Sequence, residues 1–402
     1  MNKDYLPILG EASDLEKKFV LNILSIRKLT IKLKICNQDS TFFTEDVLLE
    51  KNKCTRKIFT YDVEKIWLDD NVFTFNFSST NTWKFNFLNC DCQFVPQCGL
   101  VNEVPLSNKT ISFHLGDQIY MDLLYMDVMS NTYTIEEIRE KIYQEYMKAF
   151  LRKKDVLQKT FNIMLGDDHE ICDETLRELT SENTTQIFKD IFNEIQQGLK
   201  LTDASVIHYD TNSFILINNI NILDSKNYMI SIKDTIEKAN DFKAKTYLLS
   251  PRNLLNSNNS RINNLIFSAV DNNENYNEFF TLLFNKFQNN KKELVILCGD
   301  EHTAGKFTIK QLNSGNILDF YFVGPLNSVV DPLKNKFILN NENFIVEKQY
   351  LEQSHAFMTL IDDKLYHDIQ HSTCINIMGT ISYTIQYSIS KIKFKLSNCC
   401  KN

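Results

Sequence analysis

Aspartate and histidine residues follow three short apolar segments of the chain, and a glycine marks each junction. The segments read ISFHLGDQIYMD (111–122), FNIMLGDDHEICD (161–173) and LVILCGDEH (294–302). The chain has only ten glycines, so three such junctions are poorly explained by chance. Three strand ends that each supply Asp or His are expected where side chains distant in sequence meet around metal ions.

The first segment alternates apolar residues at positions 111, 113 and 115, which predicts a buried strand that Gly116 ends. Open α/β sheets build their active sites at the carboxyl ends of such strands. A carboxylate and a phenol three residues apart can converge on one hard cation. Taken alone, the segment also fits an ordinary strand-to-helix turn in which Asp117 caps the helix. The oxygen-bearing side chains after the glycine are Asp117, Tyr120 and Asp122.

A fourth candidate strand end lies upstream of these segments. Apolar residues at 83, 85 and 87 alternate as in a strand, and the sequence then reads NCDCQ. Either Cys90 or Asp91 supplies a ligand to the same centre in this interpretation. The alternative is structural, because a buried free cysteine commonly packs as a small apolar residue.

In order and spacing, these motifs resemble those of the PhoD-like metallophosphatases, the phosphatase and phosphodiesterase branch of the calcineurin-like superfamily. HLGDQIYMD, MLGDDHEICD and LCGDEH resemble successive motifs of that family, and NCDCQ resembles its first motif. The segment EEIREKIYQEYMKAF (136–150) is similar to the helix between the second and third motifs. The resemblance spans roughly residues 83–330 and is more specific than any single motif.

The resemblance assigns ligand roles to several residues. Asp117 is the best candidate for a carboxylate that bridges two metal ions, because its position after the strand is the most constrained in the motif. Tyr120 resembles the tyrosinate ligand of PhoD-type sites, and with a Cys90 thiolate it favours trivalent iron. Asp168 stands where many relatives use asparagine, and its charge suits calcium, manganese or magnesium. The full predicted metal-ligand set is Cys90, Asp91, Asp117, Tyr120, Asp168, Asp300 and His302.

Asp300 and His302 stand where the superfamily has Gly-His-x-His, with aspartate in place of the first histidine as in the PhoD-like branch. The resemblance therefore implies two or more metal ions. They are iron plus calcium if the site is of the PhoD type, and otherwise manganese, magnesium or zinc.

His169 is the predicted catalytic residue. Hydrolysis of a phosphoester needs a nucleophile at neutral pH, which a metal-bound hydroxide supplies, and a proton for the leaving group, which an adjacent imidazole supplies. His114 lies within the first strand and is either a partner that orients a ligand or a packed side chain. Glu170 and Asp173 are expected to cap or orient the following segment, although either could reach the metals.

Composition agrees with a soluble enzyme of more than one domain. At 402 residues with 43% hydrophobic residues, the chain is long enough for a large core. A formal charge of −7 with scattered lysines argues against dedicated nucleic-acid binding, so small phosphoesters or phosphorylated molecules are the expected substrates. No apolar run could span a bilayer, and the N-terminus lacks the pattern of a secretory signal, so an intracellular, cytoplasmic location is expected.

The ten cysteines do not form zinc-finger pairs, and free thiols are expected in a reducing compartment. Cys399 and Cys400 have no assigned role, because the prenylation pattern is absent.

Alternating runs in residues 17–88 predict a small antiparallel β domain. We therefore divide the chain into an N-terminal β-sandwich-like domain (1–82) and a PhoD-like metallophosphatase domain with a β-rich C-terminal tail (83–402). The expected fold class is α/β, with two β-sheets packed face to face and flanked by helices. Helices are predicted near 135–149, 187–195 and 276–287, with β patterns over 205–250 and strands at 317–323 and 344–346.

Two hypotheses about function remain. The first is a metal-dependent phosphomonoesterase or phosphodiesterase, and the second is a protein that keeps the fold as a binding or scaffold module without turnover. Two departures from the family pattern, Gly166 and Glu301, favour the second, but neither removes a proposed ligand. Arg177 and Arg252 match phosphate geometry, although both are more simply surface residues.

Overall fold

The computed structural model describes most of the chain. Glu301, Arg177, Cys399 and Cys400 lie outside the described residues, as do parts of the loops at 172–185 and 251–275. The described residues are 4–69, 71–77, 82–94, 99–107, 109–173, 181–196, 204–217, 225–239, 241–254, 256–257, 273–287, 293–300, 302–326, 328, 337–338, 344–352, 354–370 and 387–390.

Two antiparallel sheets form the N-terminal region, as the closely spaced alternating runs predict. In one of these strands Ile31 and Leu33 are buried while Lys32 and Lys34 are exposed, which is the pattern of a sheet with one solvated face. The sheet orders are β1-β2-β5 and β4-β3-β6-β7. The strands are β1 (Tyr5–Ser13), β2 (Lys18–Ser25), β3 (Leu29–Asn37), β4 (Phe42–Leu49), β5 (Lys53–Thr60), β6 (Val63–Leu68) and β7 (Asn71–Thr74).

A five-stranded sheet contains the strands that precede the first three motifs. Its order is β10-β9-β8-β20-β21, and β8, β9 and β10 run parallel to one another. All five residues of β10 are buried, as expected for a parallel strand covered on both faces. The strands are β8 (Lys84–Leu88), β9 (Thr110–Leu115), β10 (Phe161–Leu165), β20 (His355–Ile361) and β21 (Lys364–Gln370).

A seven-stranded sheet supplies the last motif. Its order is β11-β12-β13-β15-β17-β16-β19, with β12, β13, β15 and β17 parallel. The strands are β11 (Ala204–Tyr209), β12 (Asn212–Ile217), β13 (Lys245–Ser250), β15 (Glu293–Cys298), β16 (Ala304–Gln311), β17 (Ile317–Val323) and β19 (Phe344–Glu352); β14 (Asn256–Ser257) and β18 (Phe337–Ile338) form a separate short pair.

Helices pack against the outer faces of these sheets. The longest of them begins with a capping box, in which Thr134 and Glu137 satisfy each other's backbone N–H groups. The helices Ser225–Lys238 and Asn273–Phe287 bury apolar residues on the seven-stranded sheet. The helices are α1 (Asp122–Ser130), α2 (Ile135–Arg152), α3 (Lys154–Lys159), α4 (Glu182–Gln196), α5 (Ser225–Lys238) and α6 (Asn273–Phe287), with a 3₁₀ turn at Leu100–Asn102.

The helix α5 differs from the sequence prediction, which assigned β patterns throughout 205–250. Isoleucines at positions 230 and 232 alternate as in a strand. Ile232 and Ile236, four residues apart, are instead both buried on one helical face, while Ile230 is exposed. Short β-branched runs fit both periods, and tertiary packing decides between them.

Aromatic rings join the two large sheets into one sandwich. The Phe214 ring on β12 lies 4.7 Å from that of Phe85 on β8 and 4.8 Å from that of Phe113 on β9. The N-terminal sheets join the same core, since the Phe19 ring lies 5.6 Å from that of Phe161. The architecture is thus the expected sandwich, whereas the domain boundary at residue 82 stays a prediction.

None of the helices in the described part of the chain has both the length and the apolar character required to cross a bilayer.

Candidate metal centre

The motif residues converge because four of the strands that precede them end at one place. Neighbouring parallel strands put the ends of β8, β9 and β10 side by side, and backbone bonds join the loops that follow. Asp91 N donates to Asp117 O at 2.8 Å, and Gly116 N donates to Leu165 O at 3.1 Å. The end of β15 in the other sheet meets this edge, where Asp300 N donates to Asn89 Oδ1 at 3.2 Å. Both sheets therefore contribute to one site.

Sharp turns at the strand ends direct the side chains inwards. Cys90, Asp117 and Asp300 adopt positive φ angles of 43°, 54° and 62°. Such angles are uncommon outside glycine, although Asp tolerates them better than most residues. Strained backbone of this kind clusters at functional sites.

Two of the motif glycines are required by close packing. A Cβ at Gly116, whose φ is +78°, would lie 2.8 Å from the Cβ of Asp167. At Gly299 it would lie 2.1 Å from Leu115 O and 2.6 Å from Asn89 Oδ1. The absence of a side chain at both positions lets the strand ends approach closely enough for the site to form.

A first group of potential ligands contains Cys90, Asp117 and His302, whose ligand atoms all lie within 4.8 Å of one another. The Tyr120 hydroxyl joins this group, at 3.3 Å from Asp117 Oδ2 and 3.2 Å from His302 Nε2. Cys90 Sγ lies 3.4 Å from Asp117 Oδ2. A thiol, a phenol, a carboxyl and an imidazole from four separate positions thus face one another.

A second group contains Asp117, Asp168 and His169, again with ligand atoms within 4.8 Å of one another. Asp117 belongs to both groups. A carboxylate with two oxygens in this position has the geometry that a bridging ligand needs, and bridging itself stays a prediction.

His169 is held by a carboxylate. Its Nδ1 lies 2.8 Å from Asp122 Oδ2, and its ring stacks on that of Tyr120 with centroids 4.2 Å apart. Burial by itself lowers the pKa of His169, but the carboxylates of Asp122, Asp117 and Asp168 outweigh it and raise that pKa well above its ordinary value. Asp122, one of the oxygen-bearing side chains after Gly116, thus orients His169.

Glu170 organises the two loops that carry these residues. Its carboxylate accepts hydrogen bonds from Gln118 N and Asp167 N, both at 2.7 Å. Burial raises the pKa of Glu170 to about 7, while the two backbone bonds lower it. The orienting role expected for Glu170 fits this geometry. Asp173 contacts the aspartate that orients His169: its backbone N donates to Asp122 Oδ1 at 2.5 Å.

Two predicted ligands lie outside both groups. The Asp91 carboxylate pairs with the buried Lys153, at 3.0 Å between Nζ and Oδ2. Asp300 lies next to the site, and its charge contributes to the raised pKa of Cys90, of which burial is the main cause. Among the described residues, neither Asp91 nor Asp300 is a member of the two groups.

His114 is buried within β9. Its Nε2 lies 3.0 Å from Asn162 Oδ1. Burial lowers the pKa of His114 to about 3, so the ring is neutral at physiological pH. This contact favours the reading of His114 as a packed side chain.

Arg252 contradicts the expectation of a surface arginine. It follows β13, is only 3% exposed, and its guanidinium contacts the carboxylates of Asp167 and Asp168. Asn89 is a second residue that sequence reasoning missed, since its Oδ1 accepts from both Cys90 Sγ and Asp300 N. The adjacent strand end at NCDCQ was the available signal for Asn89, whereas nothing in the local sequence marks Arg252.

The site fits metal ions. Asp117 Oδ1 and Asp167 Oδ2 are buried oxygens that have no hydrogen-bond partner among the described residues, an arrangement that is costly unless a cation approaches. Burial raises the pKa values of Asp117, Tyr120 and Cys90 well above their ordinary values, and a bound cation reverses this preference by favouring the ionised forms. Sulfur, nitrogen and oxygen donors within one cluster are the ligand set of transition metals.

Comparison with known proteins identifies the fold. No family model matches the chain, and no curated protein matches it. A solved structure described as the structure of PhoD is 12% identical, covers 98% of this chain and 98% of its own, and has a TM-score of 0.55. A protein serine/threonine phosphatase from Saccharomyces cerevisiae, with similarity to human phosphatase PP5, is 10% identical over 73% of this chain and 82% of its own, with a TM-score of 0.28. The full-length likeness to PhoD confirms the predicted fold class, and the chain has a fold similar to that of PhoD.

Proposed function

We propose that this protein is a metal-dependent phosphoesterase of the PhoD-like type, acting on a phosphomonoester or phosphodiester. The observation that carries the proposal is the position of Asp117, which is shared by two groups of potential metal ligands where strands of both sheets end. A site for two adjacent cations bridged by a carboxylate is the usual arrangement for hydrolysis of phosphoesters.

The two groups differ in chemistry, which suggests different metals. Cys90, Tyr120 and His302 offer soft and phenolic donors, which suit iron. Asp168 gives the second group more oxygen and more negative charge, which suits calcium, manganese or magnesium. When bound, such ions polarise a phosphoryl oxygen and make water acidic enough to supply a nucleophile at neutral pH.

The protein's own contribution is to hold these ligands and to move a proton. Asp122 accepts from Nδ1–H of His169, which fixes the ring orientation and leaves Nε2 to serve the reaction. From there Nε2–H donates a proton to the oxygen of the leaving group. The stacked Tyr120 ring restricts rotation of the imidazole.

The test is metal content together with turnover. Purified protein is analysed for bound metals and assayed with a chromogenic phosphodiester and a chromogenic phosphomonoester, with iron, calcium, manganese, magnesium and zinc. We expect bound metal and hydrolysis of at least one ester. Protein that stays metal-free and inactive with every ion contradicts the proposal and leaves the binding or scaffold alternative.

A matched pair of carboxylate variants sharpens the test. Asp117→Asn is expected to reduce metal occupancy at both groups and to abolish hydrolysis, because the shared carboxylate loses its charge. Asp127→Asn makes the same chemical change on α1, where Asp127 pairs with the surface Lys141, and should retain metal and turnover. Full occupancy in the Asp117 variant would show that the bridging assignment is wrong.

A further inference from the structure

Arg252 places a permanent positive charge beside the second ligand group. Its side chain is 4% exposed, its Nε contacts Asp167 Oδ1, and its Nη2 lies 3.2 Å from Asp168 Oδ2. The loop is fixed by Ser250, whose hydroxyl donates to Arg252 O at 2.7 Å and accepts from Arg252 N at 3.3 Å. A guanidinium cannot lose its proton in a protein, so this charge is present under all conditions.

Asp168 therefore has two competing partners. It belongs to the group with Asp117 and His169, and it also faces the guanidinium. Neighbouring Asp167 is fully buried, with one oxygen on Arg252 and the other without a hydrogen-bond partner in the part of the chain that the structure describes. Buried carboxylates this close together repel one another unless positive charge is supplied.

We propose that Arg252 is a built-in cation of the second ligand group. In the absence of metal its guanidinium holds Asp167 and Asp168 in place. Because it also pairs with Asp168, it weakens metal binding at that group. This inference rests on the proposed metal centre. It implies that metal loads in two steps, with the group of Cys90, Asp117 and His302 filled first. The site at Asp117 and Asp168, beside His169, is filled second and more weakly.

A second buried cation provides the matched control. The Lys153 side chain is 1% exposed and its Nζ lies 3.0 Å from Asp91 Oδ2 and 2.9 Å from Gln118 O. Asp91 is outside both ligand groups. Removing either positive charge leaves a buried carboxylate uncompensated, but only Arg252 shares its carboxylate with a ligand group.

The experiment compares wild type, R252Q, R252K and K153Q as full-length, metal-stripped proteins. Mn²⁺ binding is measured by calorimetric titration, and thermal unfolding is measured with and without Mn²⁺. Without metal, R252Q and K153Q should both melt about 5 °C or more below wild type, because each loses one partner of a buried pair.

The addition of Mn²⁺ should distinguish R252Q from K153Q. In R252Q the dissociation constant of the second Mn²⁺ should fall by about tenfold, the order expected when a unit charge close to a divalent ion is removed. Mn²⁺ should also restore most of the melting temperature that R252Q loses. This holds even if metal-stripped R252Q is unfolded before Mn²⁺ is added. K153Q should keep the wild-type second step and gain no extra stabilisation, and R252K should resemble wild type because it keeps the charge.

A second step that is unchanged or weaker in R252Q, with the other step intact, overturns this inference alone and makes Arg252 a structural residue. Wild-type protein that binds no Mn²⁺ contradicts the metal centre itself, and with it the inference.

Discussion

At the scale of single residues, charge and hydrogen bonding divide the motif side chains into separate tasks. Asp117 is shared between two ligand groups, Asp122 orients His169, and Glu170 holds two backbone amides. Asp91 has the same side chain as Asp117 but pairs with a buried lysine. Residue type alone thus does not assign a role, because identical carboxylates differ in what they face.

Replacing His169 tests its role in proton transfer. His169→Asn should lower turnover by about two to four orders of magnitude, because the leaving group loses its proton donor. Metal content, measured on the same preparation, should remain nearly intact. Equal loss of metal and activity would instead identify His169 as a ligand of the second group.

The buried His114 predicts a dependence of stability on pH. The ring has a pKa of about 3 in the folded protein against an ordinary value of 6.5. Between pH 6.5 and pH 3 the His114 imidazole binds a proton in the unfolded chain but not in the folded protein. This group's contribution to the free energy of unfolding is therefore present above pH 6.5, and it is lost as the pH falls towards 3, by about 1.4 kcal/mol per pH unit.

His114→Gln keeps a side-chain N–H for Asn162 and removes the titration. Urea unfolding of metal-stripped protein at pH 7, 6 and 5 should show the variant's stability falling less steeply with acid than that of wild type. Other titrating groups are common to both proteins and cancel in the comparison. If the free energy of unfolding falls equally steeply with acid in both proteins, the His114 ring is protonated equally in the folded and unfolded states.

At the scale of elements, the junctions between strands and loops determine the geometry of the site. Parallel pairing of β8, β9 and β10 brings three loops together, and β15 contributes a fourth from the other sheet. Glycine at two junctions removes the Cβ atoms that would separate these loops. The ligand groups therefore depend on backbone packing as much as on ligand chemistry.

A pair of glycine variants separates packing from backbone strain. Gly116→Ala and Gly315→Ala both place a side chain at positive φ, at 78° and 72°. The new Cβ at Gly116 would lie 2.8 Å from the Cβ of Asp167, whereas no atom of the described residues lies within 4 Å of a Cβ at Gly315. We expect Gly315→Ala to lower the free energy of unfolding by about 1 kcal/mol. Gly116→Ala should lower it by roughly 1 to 3 kcal/mol more, and it should also reduce metal binding.

The readout is urea unfolding together with metal titration. Equal losses in the two variants, with metal binding unchanged in both, would show that the close approach at Gly116 does not position the ligands.

At the scale of the whole molecule, one aromatic core joins the N-terminal sheets to the sandwich. The Phe214 ring contacts strands of the opposite sheet, and Phe161 packs against Phe19 of the N-terminal region. The sequence predicts a domain boundary at residue 82, and residues on both sides of that position belong to the same buried cluster. A shared core favours cooperative unfolding of the two parts.

Truncating the central ring tests the core. Phe214→Ala should lower the free energy of unfolding by about 3 to 5 kcal/mol, because the fully buried ring leaves a cavity between the sheets. Phe43→Ala, at a position that is 58% exposed, is the matched control and should change stability little. Calorimetry should show one transition in both proteins. Two resolved transitions would support independent domains.

The sequence by itself determined the local features of this protein. Alternating apolar residues predicted the strands at 111–115 and 317–323, which appear as Thr110–Leu115 and Ile317–Val323, because burial on a strand repeats every two residues. The three-to-four-residue spacing in 135–149 predicted α2. The glycine junctions predicted where chemistry would concentrate, since a strand that ends in polar residues places them at one sheet edge.

Only the tertiary structure decided which of these residues meet. Asp91 and Asp117 both follow parallel strands, yet Asp91 pairs with the buried Lys153, which directly follows α2, and among the described residues it belongs to neither ligand group. Arg252 is 84 positions from Asp168 and lies in no motif, but the packing of the two sheets buries it against that carboxylate. Periodicity is set by the backbone and is visible in sequence, whereas the pairing of charges depends on contacts between distant segments.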